Sequence, residues 1–375
     1  MKHPLPIRSY RKGSPESLVN CMVEAKPADA LGKVSIIRAP GIRGLADLGG
    51  VGRGLSLFLG QLYALVDDTL FNVGTVSGSS TGVASIPGSA RVTMAATVDR
   101  LCVVANTDAY LFDGTTITQI TDADFRPAGQ VDFINQYLIF TEWQTARWFS
   151  SDLNAPEDYT STMFATAEHQ PDNLVGIKAD HGQVFLAGDT TCEIWGSIDT
   201  AGFPWQQVQN GVIELGCAAG ASLAKLDNSI FWLANDGSVR RLSGFTPVRV
   251  STHGIEEIIR GWGDASEAYG MAYSYGGHLV YVLTKKNHGT VAYDATTNEW
   301  HERASYGYAY WRVVDIASYN DLVYLLDDAG RVGVMDGTVY TEFGDTQRVE
   351  FTCDPIYAEG RRVVLRSAEL MVKTQ

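Results

Sequence analysis

Few stretches of this 375-residue chain place reactive side chains close enough together to do chemistry. The densest is Glu168-His169-Gln170-Pro171-Asp172, two carboxylates and an imidazole within five residues. A glycosidase needs two carboxyl groups facing each other across a cleft, one as acid and one as base or nucleophile. Two carboxylates on one short segment do not make that cleft. The stretch is therefore expected to be a structural turn, and Glu168 and Asp172 are the residues an enzymatic reading would rest on. Gly50-Val51-Gly52-Arg53-Gly54 has the glycine density of a nucleotide-binding loop, but no acidic residue in a strand–helix–strand setting follows it, so a β-turn is expected. Gly78-Ser79-Ser80-Thr81-Gly82 lacks the lysine of a phosphate-binding loop and is expected to be a flexible connection. Neither G-x-S-x-G nor H-E-x-x-H occurs, and the seven histidines are scattered. No catalytic, cofactor-binding or metal-binding residue is expected, and no cofactor.

The elements around these stretches are short and repeated. Apolar runs begin at Leu62, Leu101, Tyr137, Val184, Ile230, Leu279 and Leu322, at intervals of 39, 36, 47, 46, 49 and 43 residues. Each follows a polar or glycine-containing turn, and a second turn and an aromatic-bearing strand come after it. Such a period, with two hairpins per unit, predicts a β-propeller. A four-stranded blade cannot bury both of its faces alone and must stack on its neighbours. The expected fold is all-β, a propeller of six or seven blades, with an elongated array of β-sandwiches as the alternative. Gly276-Gly277 followed by Tyr293-Asp294 and Trp300 has the make-up of one kelch blade, but the other units lack the glycine pair. Turns such as Asn235-Asp236-Gly237-Ser238 and Asp327-Asp328-Ala329-Gly330 supply residues that tolerate positive φ.

One segment departs from the β pattern. Ile255, Ile258, Ile259 and Trp262 recur at helical spacing behind Ser251 and Thr252, which predicts a short capped amphipathic helix inserted between the fifth and sixth units. Near the N-terminus Ser14-Pro15-Glu16 can start a helix, and Val19 to Val23 suits a strand equally well.

Charge divides the chain unevenly. Residues 1–45 hold eight basic side chains and three acidic ones, a balance of +5. Against totals of 29 basic and 43 acidic residues, 21 and 40 remain for the rest, a balance of −19. An acidic body excludes a nucleic-acid-gripping face, which needs a basic patch. Apolar residues make up 45% of the chain, which excludes general disorder. The longest apolar runs last about five residues, far below the roughly 18 that span a bilayer, so no membrane insertion is expected. The charged start of the chain predicts no signal peptide, and five dispersed cysteines without a C-x-x-C pair predict buried thiols rather than a disulfide frame. The expected organisation is a basic N-terminal extension at 1–45, a propeller at 46–347 and a C-terminal β segment at 348–375.

Several segments, in order, carry a family likeness. Asn20 is followed by Pro40-Gly41-Ile42 and Gly52-Arg53-Gly54, then by Glu168-His169-Gln170-Pro171-Asp172 with Val175-Gly176-Ile177, and by Glu193-Ile194-Trp195. Ile255-Glu256-Glu257-Ile258-Ile259-Arg260 and Val291-Ala292-Tyr293-Asp294 complete the set. From about residue 20 to 370 the chain resembles the tail hub, or nozzle, proteins of short-tailed bacteriophages, the packaged-DNA stabilisation proteins. The resemblance implies a non-enzymatic virion protein, assembled in the host cytoplasm into a six-copy ring beneath the portal and adaptor. It also implies contacts with tail spikes, fibres or a needle, closure of the exit channel after packaging, and a later role as the ejection conduit. DNA would pass through without specific binding, and an acidic wall suits that because it repels phosphate. The alternative is a glycan-active propeller enzyme of a phage tail using Glu168 or Asp172, and a weaker third reading is a scaffold for cellular proteins.

Overall fold

Each apolar run found in the sequence becomes the second strand of a four-stranded antiparallel sheet. These strands are Gln61–Val66, Leu101–Ala105, Tyr137–Glu142, Gln183–Gly188, Ser229–Leu233, His278–Lys285 and Leu322–Asp327. All five residues of Leu101–Ala105 and of Ser229–Leu233 are buried, because the neighbouring sheet covers each face. The chain is thus a seven-bladed β-propeller with one α-helix among the residues that this computed structural model describes: 18–25, 34–167, 172–200 and 202–352.

Turn chemistry fixes the hairpins. The two residues before the second strand both have positive φ in six blades: Leu59-Gly60, Asn135-Gln136, His181-Gly182, Asp227-Asn228, Gly276-Gly277 and Asn320-Asp321. This is the backbone of the two-residue turn whose twist matches antiparallel strands. Blade 2 instead uses residues 97–100, where Thr97 Oγ1 accepts from the backbone N–H of Asp99 and of Arg100.

The first strands of neighbouring blades lie side by side around the axis. Their polar side chains satisfy the backbone of the next blade. Asp315 of blade 7 accepts from Leu55 N of blade 1 at 2.9 Å, and Asp132 of blade 3 accepts from Ala179 N of blade 4 at 2.9 Å. A polar residue on an inner strand therefore joins blades.

The ring closes through both ends of the chain. Blade 7 takes three strands, Val313–Tyr319, Leu322–Asp327 and Arg331–Asp336, from late in the sequence. Its fourth strand is Gly41–Asp47, with Met335 opposite Ile42 and Val334 opposite Arg43. Gly41–Asp47 straddles residue 45 and is an integral strand of the propeller. Outside it, Thr341–Glu342 pairs in parallel through Glu342 and Ile42. On blade 6, Leu18–Val19 lies against the fourth strand, Glu299–Glu302, and Glu350–Phe351 pairs antiparallel with Leu18–Val19. Cys21–Ala25 and Val34–Arg38 pair antiparallel beside it, so Val19 and Cys21 to Val23 are extended on either side of a left-handed Asn20.

The helix spans His253–Gly261 in the link between blades 5 and 6. Thr252 Oγ1 caps it by accepting from Ile255 N, and Ile255, Ile259 and Trp262 pack into the core shared by those blades. Cys21, Cys102, Cys192 and Cys217 are buried free thiols, and burial pushes Cys21 up to about 11 and Cys217 up to about 12. Cys353 lies outside the described residues.

Candidate functional site

Asp172 is the part of the Glu168–Asp172 stretch that the structure places; Glu168, His169, Gln170 and Pro171 lie outside the described residues. One Asp172 oxygen accepts from Thr190 N at 2.8 Å, Thr191 N at 2.9 Å and Thr190 Oγ1 at 2.9 Å, with Thr191 Oγ1 at 3.3 Å. Its carboxylate holds the turn between the second and third strands of blade 4. A Cβ on Gly188 would stand 2.6 Å from that oxygen, so the turn closes only around glycine.

The two glycine-rich stretches also serve packing, and Gly52-Arg53-Gly54, expected as a turn, instead opens the first strand of blade 1, Gly52–Phe58. A Cβ on Gly52 would lie 2.1 Å from the carbonyl of Asp327, at the contact between blades 1 and 7. Arg53 beside it is buried and donates to the carbonyls of Ala90 and Asp67 at 2.7 Å, of Ile86 at 3.0 Å and of Pro87 at 3.2 Å. Four carbonyls around one guanidinium satisfy a buried cation with no phosphate. Gly78 presses against the Leu45 carbonyl, where a Cβ would come within 1.9 Å, so this loop packs on the N-terminal strand of blade 7. Gly276-Gly277 forms a hairpin turn, and Trp300 donates to Val250 O at 3.0 Å across to blade 5.

The most connected polar constellation is the clasp where the terminal segments meet blades 6 and 7. Asn20 is fully buried in the left-handed region (φ 53°). Its Nδ2 donates to Ala304 O at 2.8 Å and to Arg348 O at 2.7 Å, while its Oδ1 accepts from Ala304 N at 3.2 Å. One side chain thus ties the N-terminal segment to blade 6 and to the chain beyond blade 7. Arg38 repeats the pattern, donating to Val339 O at 2.7 Å, Gly337 O at 2.9 Å and Gln347 Oε1 at 2.8 Å.

Charged groups underlie the clasp. Arg303 is fully buried, stacked 4.3 Å over the Trp311 ring and 3.6 Å from Glu342. Glu342 accepts from Ser305 Oγ at 2.8 Å and Trp311 Nε1 at 3.1 Å. Burial raises the Glu342 pKa despite the opposing pull of Arg303. Burial, with Arg303 adding to it, pushes His301 down to about 3, so that imidazole is neutral. His278 lies between two carboxylates, 2.6 Å from Asp294 and 2.9 Å from Glu24 on the N-terminal hairpin. Burial lowers its pKa, but the bonds and charges of Asp294 and Glu24 outweigh that and leave it raised above 6.5.

Sequence reasoning singled out Asn20 and Gly52-Arg53-Gly54 without their roles, and it missed Arg303, His278 and Glu342 in this clasp. An asparagine ahead of a strand was the available signal, since asparagine tolerates positive φ. The arrangement can hold a ring shut.

A family model described as Bacteriophage P22 Gp10, beta-propeller, matches residues 9–340. No curated protein sequence matches significantly. Among solved structures, a chain of the mitotic checkpoint complex superposes with a TM-score of 0.51 at 11% identity, over 83% of this chain and 99% of that one. The WD40 domain of Neurospora crassa Pan2 gives 0.50 at 10% identity, over 82% and 98%. At such identities these two likenesses concern the fold alone.

Proposed function

This chain belongs to the Bacteriophage P22 Gp10 β-propeller family, phage structural proteins of packaged-DNA stabilisation, and on that footing we propose that it is the hub, or nozzle, of a short phage tail. In this reading six copies form a ring beneath the portal and adaptor. The ring closes the exit after packaging, carries the spikes, fibres or needle, and becomes the conduit at ejection. The role is mechanical and uses no catalytic group or cofactor.

The observation that carries the reading is the family match across nearly the whole propeller. Charge supports it, because a body of −19 outside residues 1–45 repels phosphate and lets DNA slide. Geometry supports a conduit between copies over one through a single propeller. The first strands of neighbouring blades lie closer at the axis than the roughly 10 Å of sheets packed face to face, so seven of them enclose a space under about 20 Å across between backbones. Side chains from both walls cut this to about half, too little for a duplex whose major groove alone is about 12 Å wide. Light scattering on the purified chain, alone and with adaptor and portal, tests the proposal. Six-fold rings are expected, and a monomer under both conditions overturns it.

A further inference from the structure

Strands alternate in direction from the axis outwards. The turns joining first to second and third to fourth strands therefore all open on one face of the disc, and the remaining connections open on the other. Exposed apolar side chains stand on both faces, with Trp143, Tyr306 and Tyr308 on the second and a larger set on the first. Leu59, Val98 and Leu322 stand at first-to-second turns, and Val76, Leu153 and Phe245 at third-to-fourth turns. Val76 is 88% exposed and Val98 78%. An isolated exposed apolar residue is ordinary, but a set of them rimmed by polar groups marks a contact surface.

The same turns are acidic. Asp99, Asp113, Glu157, Asp199, Asp227 and Asp321 are all exposed there, against Arg100 within the described turns and Lys225 on the adjoining strand, whose Nζ donates to Ala179 O at 2.5 Å. Arg100 pairs with Asp99 at 2.9 Å and Arg241 with Asp227 at 2.7 Å, which leaves a clear excess of negative charge. Between blades 4 and 5 this face opens into a cavity of about 230 Å³. Phe185, Ile194, Ile230 and Leu242 line it, and Phe245 and His181 stand among its lining residues at the turns. His181 bridges the two blades, 2.8 Å from Asp180 and 2.6 Å from Asn228. The volume falls below the roughly 300 Å³ at which pockets for whole small molecules begin, and suits one large side chain.

We propose that this face docks a basic segment of another virion protein, one large apolar side chain entering the cavity between blades 4 and 5 and its lysine or arginine neighbours facing the acidic turns. The carboxylates select against the other occupants, since DNA, anionic lipid and the same face of a second copy all meet like charge. The inference rests on the tail-hub reading and names one of its contact surfaces.

The test uses the full chain and a short fluorescein-labelled peptide of lysines and serines around one tryptophan, followed by anisotropy. Binding should weaken as salt rises and vanish when the tryptophan becomes serine or the lysines become glutamate. Phe245→Asp should weaken it about tenfold or more, as truncating a central anchor does. Phe245 is 39% exposed in a two-residue turn, so the melting temperature should hold, and Phe245→Trp should restore binding. Tyr306→Asp, in the link between blades 6 and 7 on the opposite face, should change nothing. No binding, equal binding by Phe245→Asp and Tyr306→Asp, or stronger binding of an oligothymidylate or of phosphatidylglycerol vesicles overturns the proposal. Light scattering with the adaptor on the same samples separates the two readings: rings without peptide binding sink the docking face alone, whereas a persistent monomer sinks the hub.

Discussion

Glu24 and His278 are 254 residues apart in the chain and 2.9 Å apart in space. The pair fastens the N-terminal hairpin to blade 6, with Asp294 holding the other imidazole nitrogen at 2.6 Å. A protonated His278 donates to both carboxylates and offsets one of their two charges, whereas a neutral one gives up one donor.

This pair makes stability depend on pH. The folded-state pKa of His278 lies above its ordinary 6.5. The stabilisation it brings is therefore fully present below about pH 6.5 and is lost as pH rises through the higher folded value. Melting curves of the wild type and of His278→Gln should differ most on the acidic side of that window and converge above it. A gap constant across pH would show that protonation plays no part.

Asn20→Ala removes three hydrogen bonds at a fully buried site and puts alanine at a positive φ. The expected cost is about 2–4 kcal/mol, because two carbonyls and an N–H lose their partner. Opening should begin at the clasp, so limited proteolysis should cut on either side of residue 20 before the blades are attacked. Simultaneous cleavage throughout the propeller would contradict this.

Asp172→Ala should cost about 1–2 kcal/mol, since Thr190 and Thr191 lose a common charged acceptor at a partly exposed turn. The loss should appear in urea unfolding without any change in glycan release. A stably folded variant that had lost a measurable glycan-cleaving activity would turn the assignment towards an enzyme.

Removing residues 1–12 deletes Lys2, Arg8, Arg11 and Lys12 and leaves the clasp from Leu18 onwards. The melting temperature should stay constant while joining to the ring or the adaptor weakens, most clearly at low salt. Each surface charge pair is worth under about 1 kcal/mol, so the effect must come from several acting across repeated interfaces. Equal assembly at every salt concentration would make the segment a passive tail.

The second strands, the hairpin turns and the helix were legible because their signals are local. Leu101–Ala105 is a continuous apolar run, Asn135-Gln136 and Asp227-Asn228 suit positive φ, and Ile255, Ile259 and Trp262 keep helical spacing behind Thr252. Closure was not legible. Arg43 and Asp336 face each other across 293 residues, and nothing in the pattern of Gly41–Asp47 names so distant a partner. Buried Arg53 and Arg303 were hidden for another reason: an arginine reads as surface until the carbonyls or the ring that receive it are in place. Nothing in the sequence marks Asp132 and Asp315 as joints, because the N–H that each accepts from lies on another blade.

A strand from the beginning of the chain completes the blade built last, and this sets an order of events during synthesis. Gly41–Asp47 emerges early and has no partner until Arg331–Asp336 has been made. Blades 1 to 6 can collapse in turn as they appear, since domains gain structure from the N-terminus during translation. The circle shuts only afterwards. A chain interrupted before Arg331 keeps an unpaired edge on blade 7 and an unused strand at its start, a combination that invites exchange with another unfinished copy. Closure therefore works as a check on completeness: only a chain translated past its seventh blade presents the finished disc to the assembling particle.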